Sequence, residues 1–401
     1  MNKEERLIVL TTSLAHGFIH AYGLILPALL LMLAREFGVG TTQMGIAATV
    51  YGFAFGLGAV PAGVVSDRFG SRRVIVVSLG GASASSALIG FAGSYWVFVG
   101  GLFALGAFSS LYHPSALSLI SRGVRRSGTG MGYHGMGGTL FQALTPIAAA
   151  AVAAALSWRA AFVIFAFPGM LLAFLLYRVR ISEDRRDGDE TKKGADVRTK
   201  PMGRPTNRLV LFVICGAALL SGAIFNGSVN SFLTAFLILR LKLEILGFTP
   251  EIIGSAATTI ALLVGVLAQY VGGRVADLRH PEFVMAAAMG LCGFAGLIMA
   301  MVTGWALVVF TFIFVFGYFS SQPAQNGIIT TYVDISRRGR VFGYQFFIAF
   351  GAGSFSSSAA GYVAEKFSID RIFIMLGTFG ITAMCLLLLL GWTSRRAACL
   401  R

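Results

Sequence analysis

The residues with the clearest potential for chemistry are histidines that lie in apolar sequence. The chain has five, and four of them fall within or at the edge of apolar runs in its first half: His16, His20, His113 and His134. Imidazole changes charge close to physiological pH and also binds transition metals. Three interpretations therefore stay open: hydrogen-bonded packing, proton coupling, or a metal site made by His16, His20 and His113.

Similar polar positions recur in the second half of the chain. An offset of 210 residues relates His16 to Asn226 and His20 to Asn230. Polar side chains in apolar runs are costly in lipid, so we expect them to face the protein interior or a water-filled cavity. The residues predicted to line a central path are His16, His20, Tyr22, His113, His134, Asn226, Asn230, Gln322, Asn326 and Gln345.

Carboxylates are missing from the middle of these apolar runs. All 17 Asp and Glu residues fall in predicted tails, loops or helix ends, and no Lys or Arg lies in mid-run. A proton relay in this chain would have to use histidine, and no carboxylate or thiolate evidently completes a metal site. We expect no cofactor and no resident metal.

The composition places these histidines in a membrane. Charged residues make up 12% of the chain, against about 25% in a soluble domain, and the mean hydropathy is +0.78. A spanning helix needs about 20 mainly apolar residues, and the chain offers twelve such runs. They are predicted at 7–33, 43–64, 74–93, 96–120, 131–155, 159–179, 208–239, 250–271, 282–302, 305–333, 341–362 and 371–392.

The basic residues predict the orientation of the chain. With the N-terminus inside, 26 of the 32 Lys and Arg fall on the cytoplasmic side and 6 on the other. The positive-inside rule then places both termini in the cytoplasm, in a cell (cytoplasmic or inner) membrane. Because the basic residues sit in short turns on one membrane face, we expect no nucleic-acid partner despite a net charge of +15.

One charged turn is repeated. The segment GVVSDRFGSRR at 63–73 lies between two apolar runs, and a weaker copy, GRVADLR, lies at 273–279. The residues that we predict to latch one conformation are Gly63, Asp67, Arg68, Gly70, Arg72, Arg73, Gly273 and Asp277. An acidic group there can accept hydrogen bonds from helix N-termini and Arg across a helix seam.

This turn and its copy resemble the signature of the major facilitator superfamily, and the resemblance covers nearly the whole chain. It implies an all-α membrane protein of twelve transmembrane helices in two pseudo-symmetric six-helix bundles, acting as a monomer. The bundles are expected at 1–179 and 208–401, the second with a short cytoplasmic tail, and a cytoplasmic linker at 180–207. In that family two similar halves rock to expose a central site on alternate sides.

A finer resemblance concerns HGFIHAYGLILPALL in the first run and YHPSA in the fourth. Both are similar to the fosmidomycin-resistance branch, whose members are mainly drug exporters. That branch typically has Asp four residues after the first-run histidine, whereas this chain has His20. The departure puts a carboxylate relay in doubt.

The sequence therefore predicts a secondary transporter, not an enzyme, that exports a small organic compound, with protons as the coupling ion that histidine suggests. No Walker motif provides for ATP, and no nucleophile, base and oxyanion-donor set is visible. The alternatives are uptake or exchange of a small organic anion, and transport of a divalent transition metal through His16, His20 and His113. A receptor or scaffold without transport is a further alternative, less consistent with polar positions in both halves.

Overall fold

The computed structural model describes residues 1–125, 127–179, 208–245, 247–333 and 338–399, and every regular element in these ranges is helical. The predicted linker at 180–207 lies outside the described residues. The first half contains α1 (Lys3–Phe37), α2 (Thr41–Phe69), α3 (Ser71–Ile89), α4 (Tyr95–Ser110), α5 (Tyr112–Gly123), α6 (Ser127–Ala155) and α7 (Trp158–Arg178). The second contains α8 (Arg208–Gly227), α9 (Leu233–Arg240), α10 (Pro250–Leu278), α11 (Pro281–Met299), α12 (Gly304–Tyr332), α13 (Arg338–Phe346), α14 (Phe355–Lys366) and α15 (Ile369–Cys399).

Eleven of the twelve predicted runs are helices long and apolar enough to cross a membrane, counted over the described residues. The remaining run, 341–362, is helical but not one continuous α-helix. A π turn at Phe347–Gly351 and a 3₁₀ turn at Ala352–Ser354 separate α13 from α14. The Gly-Ala-Gly-Ser sequence at 351–354 is of the kind at which helices are commonly interrupted.

Two further spans carry a local break. The fourth span changes from α4 to α5 at Leu111, three residues before Pro114, which has no backbone N–H to donate. The seventh span changes from α8 to α9 through a π turn at Ser228–Phe232. There the hydroxyl of Ser231 donates to the carbonyl of Asn226, five residues back, at 2.6 Å.

Each half packs as a bundle of its own. In the first half α1 packs on α6, α3 on α7 and α2 on α4. In the second half α11 packs on α12 and α15, α10 on α12, and α8 on α15. Each half therefore buries a set of its own helix faces, as a pair of bundles should.

Two seams join the halves, and the repeat relates one seam to the other. One seam packs α2 on α14, and the other packs α6 on α10. Glycine lets α2 approach closely, since a Cβ on Gly45 would collide with the backbone of Ser357 and one on Gly56 with that of Gly351. At the second seam, Ile147 N–H donates to Oγ1 of Thr259 at 3.3 Å.

The two ends of the seams differ. We call the end with the Gly70 turn the signature end, and the end with the Gly38 turn the opposite end. At the opposite end Thr41 Oγ1 donates to the Gly361 carbonyl at 3.0 Å, and Arg35 pairs with Glu251 at 3.4 Å. The halves are therefore in contact at the opposite end.

At the signature end, several described positions of both halves have open space beside them. A Cβ on each of several glycines there would meet no atom within 4 Å: Gly63, Gly132, Gly135 and Gly343. Tyr133 and Met136 of α6 are exposed, as is Tyr344 of α13. Over the described residues, the halves thus contact each other at the opposite end and leave open space at these positions of the signature end.

Candidate functional site: an imidazole cluster facing an amide pair

Four histidines meet at the centre of the first half. His16 of α1 is central, and its Nδ1 lies 2.8 Å from the carbonyl oxygen of His134 on α6. Since a carbonyl can only accept, Nδ1 of His16 carries the hydrogen. In a neutral ring, Nε2 of His16 must then present a lone pair.

His20 lies one helical turn from His16 and contacts that lone pair. The two Nε2 atoms are 3.0 Å apart, so with His16 neutral it is His20 that donates. This contact holds one hydrogen between two ring nitrogens. Adding a second would set two N–H groups against each other.

His113 joins the pair from α5, two residues after the break at Leu111. Its ring centroid lies 4.9 Å from that of His16 and 5.4 Å from that of His20. Each of the three rings offers a nitrogen, and these nitrogens lie within 4.8 Å of one another. They are the described residues that could hold a metal ion.

His134 completes the cluster by stacking. Its ring lies parallel to that of His16 with centroids 4.1 Å apart, and only 3% of the residue is exposed. A glycine makes this approach possible, because a Cβ on Gly138 would occupy the space of the His16 ring. The glycine-rich start of α6 therefore sets the distance between α1 and α6.

The second half repeats the arrangement with amides. Asn226 Nδ2 donates to the carbonyl of Ala349 at 3.1 Å, which ties α8 to the π turn after α13. Asn230 Nδ2 donates to Oδ1 of Asn226 at 3.3 Å. The order matches the first half, where His20 contacts His16 and His16 contacts a backbone carbonyl.

Aromatic rings lie between the imidazoles and the amides. Phe346 of α13 and Phe55 of α2 have ring centroids 5.6 and 5.8 Å from that of His113. Phe55 contacts Phe350 at 5.5 Å, and Phe350 contacts Phe225 at 5.9 Å. Residues of both halves thus meet over the cluster.

Gln322 belongs to a hydrogen-bonded network, and it is the one member of the network that the sequence predicted. Its Oε1 accepts from Nε2 of Gln269 at 3.0 Å, and its Nε2 donates to the Tyr318 hydroxyl at 3.1 Å. Gln269 and Tyr318 were not predicted. Gln269 is a polar residue within an apolar run of the second half, and that signal could have found it.

Three other predicted residues lie apart from this constellation. Tyr22 is fully buried in the first bundle, where its hydroxyl contacts Oγ of Ser83 at 2.8 Å. Asn326 is exposed, and Gln345 is partly buried with an Oε1 that makes no hydrogen bond within the described residues. The structure brings His16, His20, His113 and His134 together, but not these three.

The signature turn separates into residues with different roles. Gly70 adopts φ 87, which favours glycine, and links α2 directly to α3. Arg72 donates to the carbonyls of Leu176, Tyr177 and Val179 and so caps the end of α7. This contact lies within the first half.

The remaining signature residues make few contacts in this conformation. Asp67 is exposed and makes no hydrogen bond or ion pair within the described residues, and Arg73 is exposed. Arg68 lies over the Phe69 ring. Gly273 of the second copy lies near Pro323, while the side chain of Asp277 falls outside the described set.

These elements define a class: a helical membrane protein of two similar halves around a polar centre. Its sequence matches the family described as the Major Facilitator Superfamily over residues 13–357 and 219–398. The chain belongs to that superfamily and is a multi-pass membrane transporter of its fold. The more specific resemblance to the fosmidomycin-resistance branch stays a prediction.

Curated relatives are distant and partial. A "Probable L-galactonate transporter" of Escherichia coli K12 is 26% identical over 37% of this chain and 34% of its own length. A "Probable sugar efflux transporter" of Helicobacter acinonychis is 22% identical over 65% and 63%. A "Probable sulfoacetate transporter SauU" of Cupriavidus necator is 27% identical over 33% and 31%. The chain spans between about a third and two thirds of these relatives.

Solved structures resemble the whole fold. A bacterial homologue of the human lysosomal transporter Spinster, in an inward-facing and occupied conformation, has a TM-score of 0.78 at 14% identity, covering 99% of this chain and 98% of that one. A POT family transporter in complex with a thioalcohol-conjugated peptide has a TM-score of 0.77 at 13% identity, covering 96% of each. At such identities the likeness concerns the fold alone.

Proposed function

We propose that this protein exports a small, oxygen-rich organic solute of the sugar class by alternating access, in exchange for protons. The observation that carries the proposal is the pair of equivalent polar ladders at the centre, imidazole in the first half and amide in the second. Two relatives that match 65% and 72% of this chain are named as probable sugar efflux transporters, which supports the substrate class.

Alternating access follows from the two seams. Over the described residues, the halves contact each other at the opposite end and leave open space at several positions of the signature end. A rocking motion that exchanged these two conditions would carry a solute held between His113 and Asn226 from one side to the other.

The imidazole cluster supplies the chemistry for coupling. His16 and His20 share one hydrogen at a single contact, and His113 lies at ring-contact distance from both. A solute hydroxyl that donates to an imidazole lone pair of this cluster would compete with an arriving proton for that nitrogen. Solute and proton would therefore exclude each other, as exchange requires.

The direction of transport depends on how the protein lies in the membrane. We place the signature end in the cytoplasm, with both termini on that side, because 26 of 32 basic residues lie on that face by the predicted topology. The conformation described here would then be inward-open. A monomer in the cytoplasmic membrane suffices, because both halves of the site come from one chain.

Uptake or exchange of a small organic anion is the second candidate. A protonated imidazole could pair with a carboxylate or sulfonate, and no acidic side chain contacts the cluster within the described residues. Two relatives are named for galactonate and sulfoacetate, which are anions of this kind.

Transport into proteoliposomes tests the proposal. Purified protein is reconstituted with an imposed pH gradient, and labelled hexose, hexonate and sulfoacetate are supplied in turn. We expect one class to move, faster with the gradient than without it, and at least about tenfold slower in His20→Asn. His280→Asn is the matched control, because His280 is an exposed histidine outside the cluster.

The outcomes separate the candidates. Hexose movement in the direction opposite to the proton flow that the pH gradient drives supports sugar export. Movement of the anions favours the second candidate. Transport that ignores both the pH gradient and His20→Asn would remove proton coupling. If no solute moved and none changed the accessibility of the signature end, the receptor or scaffold alternative would replace transport.

A further inference from the structure

We propose that His16, His20 and His113 also form a binding site for one divalent transition-metal ion of the Zn²⁺, Cu²⁺ or Ni²⁺ type. The ion would bind as a resident inhibitor and would not be carried. Binding of the ion does not depend on the identity of the transported solute, whereas the inhibition rests on the proposed function.

The spacing of the nitrogens suits such an ion. Tetrahedral coordination with bonds of about 2.0–2.1 Å places ligand nitrogens roughly 3.3 Å apart. The two Nε2 atoms of His16 and His20 are 3.0 Å apart, and all three rings offer a nitrogen within 4.8 Å. A small rotation of His113 about its side-chain bonds would close the third distance.

The orientation of His16 is already that of a metal ligand. In metal sites, the nitrogen of histidine that does not bind the ion usually donates to a carbonyl or carboxylate, which fixes the ring. Nδ1 of His16 donates to the backbone carbonyl of His134, and Nε2 points to His20. A backbone carbonyl keeps this contact in any variant of the His134 side chain that leaves α6 in place.

The ligand set selects the kind of ion. Neutral imidazoles suit Zn²⁺, Cu²⁺ and Ni²⁺, whereas Mg²⁺ and Ca²⁺ require oxygen ligands. Three protein ligands leave a fourth position for water or a small anion. His20 and His113 are only partly buried, so an ion and its fourth ligand could enter from the open side.

Occupation would take away the lone pairs on which the proposed exchange depends. An ion bound to Nε2 of His16 removes the acceptor that His20 now contacts. It would also place a charge beside Phe346 and Phe55, the rings that meet His113 from the two halves. We therefore expect the ion to slow transport.

Metal titration of the full-length protein tests the site. The protein is purified through a tag without histidine and stripped with a chelator. Zn²⁺ binding is followed by calorimetry, and Co²⁺ binding by the visible bands that low-coordinate Co²⁺ shows. The variants are His113→Gln and His20→Gln, with His280→Gln as the control that removes one exposed histidine.

We expect one ion per chain in wild type and in His280→Gln. Affinity should fall at least about tenfold in each cluster variant, since even a supporting contact is worth 10- to 100-fold. Thermal melting without metal checks folding, and His20→Gln carries the test if His113→Gln does not fold. Wild-type binding weaker than about 1 mM, or equal binding in the cluster variants, overturns the inference.

The same preparations separate this inference from the proposed function. Metal binding without solute transport would contradict the transport proposal and leave the site standing. Solute transport with no metal binding would overturn the site and leave the transport proposal standing.

Discussion

The two halves build the same ladder from different side chains. In the first half His20 contacts His16, and His16 donates to a carbonyl of α6. In the second, Asn230 donates to Asn226, which donates to Ala349 in the turn after α13. The shared geometry holds the first and fifth spans of each half together, while of the two ladders only the imidazole one can change its charge.

This difference teaches that structure and coupling can be separated in one fold. The amide ladder holds two helical segments together through fixed hydrogen bonds. The imidazole ladder does the same and can also accept a proton or a metal ion. Substitutions that exchange the two ladders are therefore more informative than deletions.

The largest effect is expected for His16→Asn, which gives the first half the side chain of the second. The spacing of α1 and α6 is set by the His16 ring, so the shorter Asn at this position loses at least one buried hydrogen bond, at a cost of about 1–3 kcal/mol. We expect gradient-driven transport to fall by about tenfold or more. Proteoliposome transport measures this, and a rate equal to that of His280→Asn would contradict it.

A smaller effect on coupling is expected for Asn226→Leu. The substitution removes the donor to the Gly222 and Ala349 carbonyls, so the free energy of unfolding should fall by about 1–3 kcal/mol. Solute affinity should weaken, but the dependence of the rate on pH should stay as in wild type. Denaturant unfolding and rates across pH test both; a lost pH dependence would show that the ladders are not separate.

The same comparison applies to the two copies of the signature turn, one in each half. Asp67 has no partner within the described residues in this conformation, so Asp67→Asn should not disturb it. We expect the substitution to weaken the alternative, closed condition of the signature end by about two- to fivefold. Labelling of Gly135→Cys, where space is open, measures this, with the native cysteines as background.

Asp277→Asn, in the incomplete second copy, is the paired measurement. It should change the labelling of Gly135→Cys less than Asp67→Asn does. An equal change would show that the two copies act alike. No change in either would remove the latch.

The smallest effect is expected at the opposite end of the α2–α14 seam. Thr42 N–H donates to Oε2 of Glu365 at 2.9 Å, and this contact holds the pKa of the Glu365 carboxyl below its ordinary value. The charged form is favoured, so the contact is fully present above the ordinary carboxyl pKa and is lost as pH falls through the lowered one.

Acidification to below the ordinary carboxyl range should therefore open this seam slightly, by about twofold at most for an exposed contact. In Glu365→Gln, a cysteine placed at this seam should be labelled equally at neutral and acidic pH. The α6–α10 seam has no titratable group at Ile147 and Thr259, so a cysteine placed there should report no pH change.

Sequence patterns predicted the fold well because long apolar runs leave few alternatives in a membrane. They located eleven of the twelve spans as helices long and apolar enough to cross a membrane, and they paired His16 and His20 with Asn226 and Asn230. The breaks at Leu111, Ser228–Phe232 and Phe347–Ser354 were not equally predictable from the sequence. Pro114 indicates the first and the Gly-Ala-Gly-Ser sequence at 351–354 the last, but the π turn at Ser228–Phe232 follows from packing and leaves no clear pattern.

The candidate site was predicted in part. Periodicity placed His16 and His20 on one face, but the contact of His113 and His134 with them depends on how α5 and α6 pack. Tyr22 has the same polar character as the cluster and yet lies inside the first bundle beside Ser83. Residue type inside a span indicates burial, whereas the direction of the side chain is decided by the neighbouring helices.

The π turn at Ser228–Phe232 has a mechanical consequence. It holds one residue more than an α-helix needs, and one residue corresponds to a rotation of about 100° around the helix axis. If the extra residue were accommodated elsewhere along the span, α9 would rotate relative to Asn226. This rotation would occur near the contact of Arg240 with Asp370. Closure at one end of the seventh span would thus be coupled to rotation of the Asn226 amide at the centre.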